Sequence, residues 1–274
     1  MEEEAVMADL LIDGVTIHVE CEGEGEPLVL VHGLGSPLVW QRVMEPLSKS
    51  FRVLAVDLPG FGRSGVPLRP YSTQEHADLV RHVLDALEIT KTNILGVSYG
   101  GQIVSTIAAK YPGRVRRALL VCSSGLVIVG SFLTHPHIWN ISSKVATSRV
   151  VNNVRFISSL SRLSFYDITR RPPDLAERFV QSMSERGRWE AWLDCARNVS
   201  GDAEDFAGRL AHVHAPTLIL WGENDRITPV SAAHEFHKSI LHSELKIFPH
   251  CGHSLPLEKP DEMVEAVTNF CIQR

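Results

Sequence analysis

Apolar positions along the chain follow two rhythms. From residue 10 onward, short β-rich runs without polar alternation are separated by stretches in which apolar residues return every three to four positions. That alternation predicts an α/β fold, a mostly parallel, doubly wound sheet with helices on both faces. The buried runs are Leu28 to His32, Arg52 to Asp57, Asn93 to Val97, Ala118 to Cys122, Thr217 to Trp221 and Glu244 to Phe248. Ahead of them, Leu10 to Ile12 and Val15 to Glu20 flank the turn pair Asp13-Gly14, so the sheet is expected to open with an antiparallel hairpin and to hold about eight strands.

Helical period marks Ser72 to Leu87, where Ser72 and Glu75 have the spacing of a capping box and Ala77, Val80, Val83, Leu84 and Leu87 form one face. Gly100 to Lys110 (stopped by Pro112), Ser231 to Leu241 and Asp261 to Cys271 read the same way. The stretch from Gly125 to Arg209 breaks the alternation. It shows no strand and carries helical fragments such as Asp174 to Ser184 after Pro172-Pro173. The expected organisation is a core formed by residues 1–124 and 210–274 with a helical cap inserted at 125–209.

Composition narrows the class. With 274 residues, 44% of them hydrophobic, the chain can bury roughly three quarters of its unfolded surface. A net charge of −5 gives it no electrostatic pull toward nucleic acid or anionic lipid. Five scattered cysteines, none in a Cys-x-x-Cys spacing, argue against a disulfide framework and a thiolate zinc site and for a reducing compartment. The acidic start and the lack of a long apolar run give the expectation of a cytoplasmic protein with no membrane partner. Nothing in the sequence fixes the number of subunits.

The chemistry centres on Gly96-Val97-Ser98-Tyr99-Gly100, at the end of one strand and the start of a helix. A Gly-x-Ser-x-Gly match arises by chance only about 0.1 times in a chain of this length, and in strand-turn-helix context it marks an exposed, strained serine. Ser98 needs a base to take its proton and a third group to orient that base. His253, in the loop after the last strand, is the candidate base, because parallel strands gather reactive side chains at their carboxyl ends. Asp225 follows the preceding strand and is the candidate acid, with Glu223 as a rival two residues away. The loop after Cys122 offers no carboxylate.

Other residues have plainer readings. Asp57 opens a Gly-Pro-rich turn, and His32 is expected to hold the loop that follows it. The pairs His135/His137, His212/His214 and His234/His237 lack further ligands at metal-site spacing. Cys122 and Cys251 read as small buried thiols. Trp139, Phe156, Phe165 and Trp189 line either an apolar pocket or the cap's own core.

Five motifs in order, His32-Gly33-Leu34-Gly35-Ser36, Asp57-Leu58-Pro59-Gly60-Phe61-Gly62-Arg63-Ser64, Gly96 to Gly101, Gly222-Glu223-Asn224-Asp225 and Gly252-His253, resemble the α/β-hydrolase superfamily over nearly the whole chain outside the cap. The resemblance implies a Ser98-Asp225-His253 triad and an oxyanion hole formed by the backbone N–H groups of Leu34 and Tyr99. It implies no cofactor and no metal. The leading expectation is a serine hydrolase acting on a small, mainly apolar ester through an acyl-enzyme. Two alternatives stand beside it: a carbon–carbon bond hydrolase acting on a vinylogous diketone, and a ligand sensor with this fold. Relatives that cleave carbon–carbon bonds often carry Trp directly after the histidine, where this chain has Ser254. Dehalogenase-like and epoxide-hydrolase-like relatives use an aspartate at the elbow, where this chain has Ser98.

Overall fold

The computed structural model describes residues 6–126, 153–201 and 203–272. Eight strands form one sheet: β1 (Val6–Ile12), β2 (Val15–Glu22), β3 (Pro27–Val31), β4 (Arg52–Val56), β5 (Thr92–Val97), β6 (Val115–Val121), β7 (Thr217–Gly222) and β8 (Ser243–Phe248). Their spatial order is β1-β2-β4-β3-β5-β6-β7-β8. β1 pairs antiparallel with β2, and β2 antiparallel with β4; every later pair is parallel. Register sets Val97 beside Val121, Val121 beside Leu220 and Gly222 beside Phe248, so the carboxyl ends of β5 to β8 share one edge.

β3, β5 and β7 are buried along nearly their whole length, as runs covered on both faces must be. β8 departs from that expectation. Its Glu244 and Lys246 are exposed and its Leu245 and Ile247 half-buried, with Phe248 alone of its residues buried, because it is the last strand of the sheet with helical cover on one side.

The helices are α1 (Met44–Ser48), α2 (Thr73–Ala86), α3 (Tyr99–Lys110), α4 (Val154–Ser161), α5 (Leu175–Ser182), α6 (Arg188–Gly201), α7 (Ala203–Leu210), α8 (Val230–Ser239), α9 (Leu255–Glu258) and α10 (Pro260–Ile272). The capping box of α2 forms as its spacing predicts: Glu75 N–H donates to Ser72 Oγ at 3.2 Å, and Ser72 N–H donates to Glu75 Oε2 at 2.8 Å. α3 lies against β5 and β6 and buries all but its last residues. Between β6 and β7 the described residues hold α4 to α7, short 3-10 turns and no strand. Several contacts seat this helical insertion on the rest of the fold. Trp192 Nε1 of α6 donates to Leu34 O at 2.9 Å, and Phe206 of α7 packs edge-on to Phe236 with ring centroids 5.9 Å apart. No described helix is long and apolar enough to cross a membrane.

Candidate active site

Ser98 joins β5 to α3 with φ 55° and ψ −118°, the left-handed backbone that non-glycine residues avoid. The turn is held from three sides. Ser98 N–H donates to Val121 O at 2.9 Å, and its carbonyl accepts from Gly101 at 2.9 Å and from Ser124 at 3.1 Å. A Cβ on Gly96 would overlap the Gly100 carbonyl, and one on Gly100 would overlap the Val31 carbonyl. Glycine is therefore required wherever strand, elbow and helix backbones touch.

The loop after β3 lies directly on this elbow. A Cβ on Gly33 would sit 2.8 Å from Ser98 Cβ and 3.2 Å from the Tyr99 nitrogen. Leu34 follows in that loop, and Tyr99 N–H, at the first position of α3, lies outside the helix's own hydrogen-bond ladder. His32 is fully buried and uses both ring nitrogens. Nδ1 faces Gly33 O at 2.7 Å, and Nε2 accepts Leu58 N–H at 3.0 Å. Burial pushes its pKa down to about 4, so it is a neutral tie between two loops. Asp57 is bound into its own turn, accepting Arg63 N–H at 2.7 Å; burial raises its pKa to about 6.

Asp225 and His253 meet at the far side of the same edge. His253 Nδ1 stands 2.7 Å from Asp225 Oδ2, with the carboxylate side chain inaccessible and the imidazole 12% exposed. Asp225 Oδ1 accepts the N–H groups of Ile227 at 2.8 Å and Thr228 at 2.9 Å, and Oδ2 also accepts the Thr228 hydroxyl at 2.8 Å. Burial by itself would raise the Asp225 pKa. The charge and hydrogen bond of His253 and the two backbone donors outweigh it and hold the carboxyl below its usual range. Glu223, the rival, is exposed. Ser98 and His253 reach one edge of the sheet, and no hydrogen bond joins them there.

Cys122, Asp225 and His253 present three atoms of metal-binding type within 4.8 Å of one another. The carboxylate and imidazole already bond directly, and burial raises the Cys122 pKa well above its usual value, which keeps the thiol protonated. His212, His214, His234 and His237 join no such group among the described residues. His135, His137, Trp139 and the side chain of Phe156 lie outside the described residues. Phe165 is buried, and Trp189 stacks on Trp192 with centroids 4.7 Å apart and planes 7° from parallel.

Three contributors escaped the sequence reading. Thr228, whose Asp-x-x-Thr spacing from Asp225 is a usable turn signal, has the Cys122 carbonyl at 3.2 Å as the alternative acceptor for its one hydroxyl proton. Arg188 and Trp192 gave no signal, because a basic or aromatic residue on an amphipathic helix normally serves the surface or the core.

The chain is 31% identical to the 2-hydroxy-6-oxo-2,4-heptadienoate hydrolase of Pseudomonas putida, over 95% of this chain and 94% of the relative. It is also 31% identical to the 2-hydroxymuconate semialdehyde hydrolase of Pseudomonas sp. strain CF600, over 96% and 92%. Its structure is similar to the meta-cleavage product hydrolase of Pseudomonas fluorescens IP01, with TM-score 0.82, 25% identity and coverage of 96% and 97%. A family model described as alpha/beta hydrolase fold matches residues 26–260. With that match across most of its length and a mostly parallel eight-stranded sheet that opens with an antiparallel hairpin, the chain belongs to the α/β-hydrolase fold family and is a hydrolase.

Proposed function

We propose that the protein hydrolyses a carbon–carbon bond in a small acid whose ketone is linked through a CH2 group and a carbon–carbon double bond to a second carbonyl, a vinylogous diketone bearing a carboxylate. The observation that carries this reading is a pair of buried donors at the start of α6. Arg188 is 8% exposed; its Nε reaches Glu185 at 2.7 Å, while its Nη1 and the neighbouring Trp189 Nε1 are buried without a partner. Buried donors of this kind, one on a cation, are costly until an anion accepts from them. Trp192, one turn further along the same helix, donates to Leu34 O in the loop beside Ser98. A carboxylate held at Arg188 thus belongs to a molecule whose other end reaches the elbow. An apolar ester leaves these donors unanswered. The relatives named above are hydrolases named for a 2-hydroxy-6-oxo-dienoate and for a hydroxymuconate semialdehyde rather than for an ester, which favours the alternative over the ester expected first.

In this reading Ser98 Oγ adds to the ketone carbon and passes its proton to His253 Nε2, while Asp225 holds Nδ1. The hydrogen bond between Ser98 and His253 tightens with substrate in place. The N–H groups of Leu34 and Tyr99 receive the oxyanion. The carbon–carbon bond then breaks, its electron pair delocalising onto the second carbonyl, and His253 returns the proton to the leaving carbon. Water activated by His253 releases the acid from Ser98, so one water is consumed. The proposed cap is the helical insertion, which carries Arg188 one turn before the Trp192 contact with the Leu34 loop.

A second reading, ester hydrolysis by the same groups, is favoured by Ser254, which stands where carbon–carbon hydrolases often carry Trp. Arg188→Met separates the two. If the acid is the substrate, kcat/KM for a 2-hydroxy-6-oxo-dienoate falls about 100-fold while turnover of p-nitrophenyl butyrate is unchanged. Equal loss on both substrates, or a wild type that prefers the ester, overturns the carbon–carbon reading.

A further inference from the structure

Glu258 is a carboxylate that the proposed reaction does not use, yet it is only 4% exposed. It ends α9, five residues after His253. Its Oε1 accepts the Gly252 N–H at 2.8 Å, and its Oε2 accepts the N–H groups of Tyr166 at 2.8 Å and Asp167 at 2.9 Å. A second tie runs alongside, from Ser254 N–H to the Ser164 carbonyl at 2.9 Å. The residues on both sides of His253 are therefore fastened to residues 164–167 of the helical insertion, one through Glu258 and one directly. The two backbones touch there: a Cβ on Gly252 would lie 2.8 Å from both Ser164 O and Tyr166 N. On its other side the loop is tied by Asn224 N–H to the Cys251 carbonyl at 2.9 Å, next to Asp225.

We propose that Glu258 is a positioning residue whose carboxylate clamps the His253 loop to residues 164–167 of the insertion and so fixes where the imidazole stands between Asp225 and Ser98. Its consequence for turnover rests on the role given to His253 above. Three backbone donors converge on one buried carboxylate, an arrangement stronger than neutral bonds and shared between two segments far apart in the chain. Misplacing a base by about 1 Å costs up to roughly 100-fold in rate, so small slack in the clamp is enough to matter.

The test opens the clamp from each side. In Glu258→Gln the amide can accept on one side only and turns a donor toward the other. In Gly252→Ala the added methyl pries the same two backbones apart. Each variant is expected to lower kcat for p-nitrophenyl butyrate about tenfold with KM within about twofold. Each is also expected to shift the downfield proton resonance of the Asp225–His253 hydrogen bond, and Glu258→Asp is expected to recover part of both. A core truncation at the opposite end of the sheet, Ile17→Ala, matches the loss of Tm and leaves kcat and the resonance alone. Wild-type kcat with an unshifted resonance in a folded Glu258→Gln or Gly252→Ala overturns the proposal, as does an equal loss of kcat in Ile17→Ala. Should the wild type turn over neither ester nor dienoate, the proposed function fails, and the resonance alone decides the clamp: a shift supports it, an unchanged signal overturns it.

Discussion

Ser98 and His253 reach the same edge of the sheet by different means. Ser98 is held by the fold's main chain: strand, helix and the neighbouring loop press on it so closely that glycine is needed at positions 96 and 100. His253 sits in a loop held by hydrogen bonds, to Asp225 on one side and to the insertion through Glu258 on the other. The serine's place is fixed by steric exclusion in a close-packed interior, which has no softer alternative. The imidazole's place depends on polar contacts that can lengthen without unfolding anything. In the proposed reaction, the site thus pairs a nucleophile held by packing with a base held by hydrogen bonds.

The largest expected effect falls on the nucleophile. Ser98→Ala should lower kcat about 10⁵- to 10⁶-fold with Tm changed by no more than about 2 °C, measured by single-turnover kinetics and thermal melting. Retained turnover would remove the serine side of the comparison. Next comes the packing beneath it. Gly100→Val should cost more than about 4 kcal/mol or prevent folding, because its side chain has only the Val31 and His32 carbonyls to meet, whereas Gly252→Ala in the other loop should fold. Urea denaturation of the two variants compares them directly.

Acid should also act on the elbow side first. His32 and His76, both fully buried, have pKa values lowered by burial from 6.5 to about 4. The unfolded chain therefore binds more protons between those limits, and the stability these groups support is full above pH 6.5 and lost as pH falls toward 4. Asp57, raised by burial from 3.8 to about 6, has the opposite sign and gains stability over nearly the same window. Two losses of about 3 kcal/mol each against one gain of similar size leave a net loss of about 3 kcal/mol, read as a falling urea midpoint from pH 6.5 to 4. A flat profile would mean that these side chains are hydrated. The smallest effect is Ser72→Ala, which removes the α2 cap for about 1 kcal/mol and leaves kcat unchanged, since the Ser72 hydroxyl bonds only within the first turn of α2, to Glu75.

Much of this site was legible because its signals are local. A Gly-x-Ser-x-Gly turn between strand and helix, a carboxylate after β7 and a histidine after β8 each depend on a few neighbouring residues, and topology then carries them to one edge. Element boundaries shifted slightly: β6 begins at Val115 rather than Ala118, and α3 takes in Tyr99. The short elements α1 and α9 were missed, being too brief to show a period. Glu258 was invisible for a different reason. A glutamate near a helix start ordinarily faces water, and only the approach of residues 164–167, more than ninety positions earlier, buries it.

The sequence by itself determined the sheet, the elbow and the chain order Ser98, Asp225, His253, because these follow from periodicity, from turn chemistry and from glycine where no side chain fits. Tertiary structure alone decided that Asp225 rather than Glu223 faces His253, that Arg188 is left with an unanswered donor, and that Glu258 ties the imidazole's loop to the insertion. Those outcomes depend on which side chains lose their water when distant segments meet, and burial of that kind has no signature in any short stretch of chain.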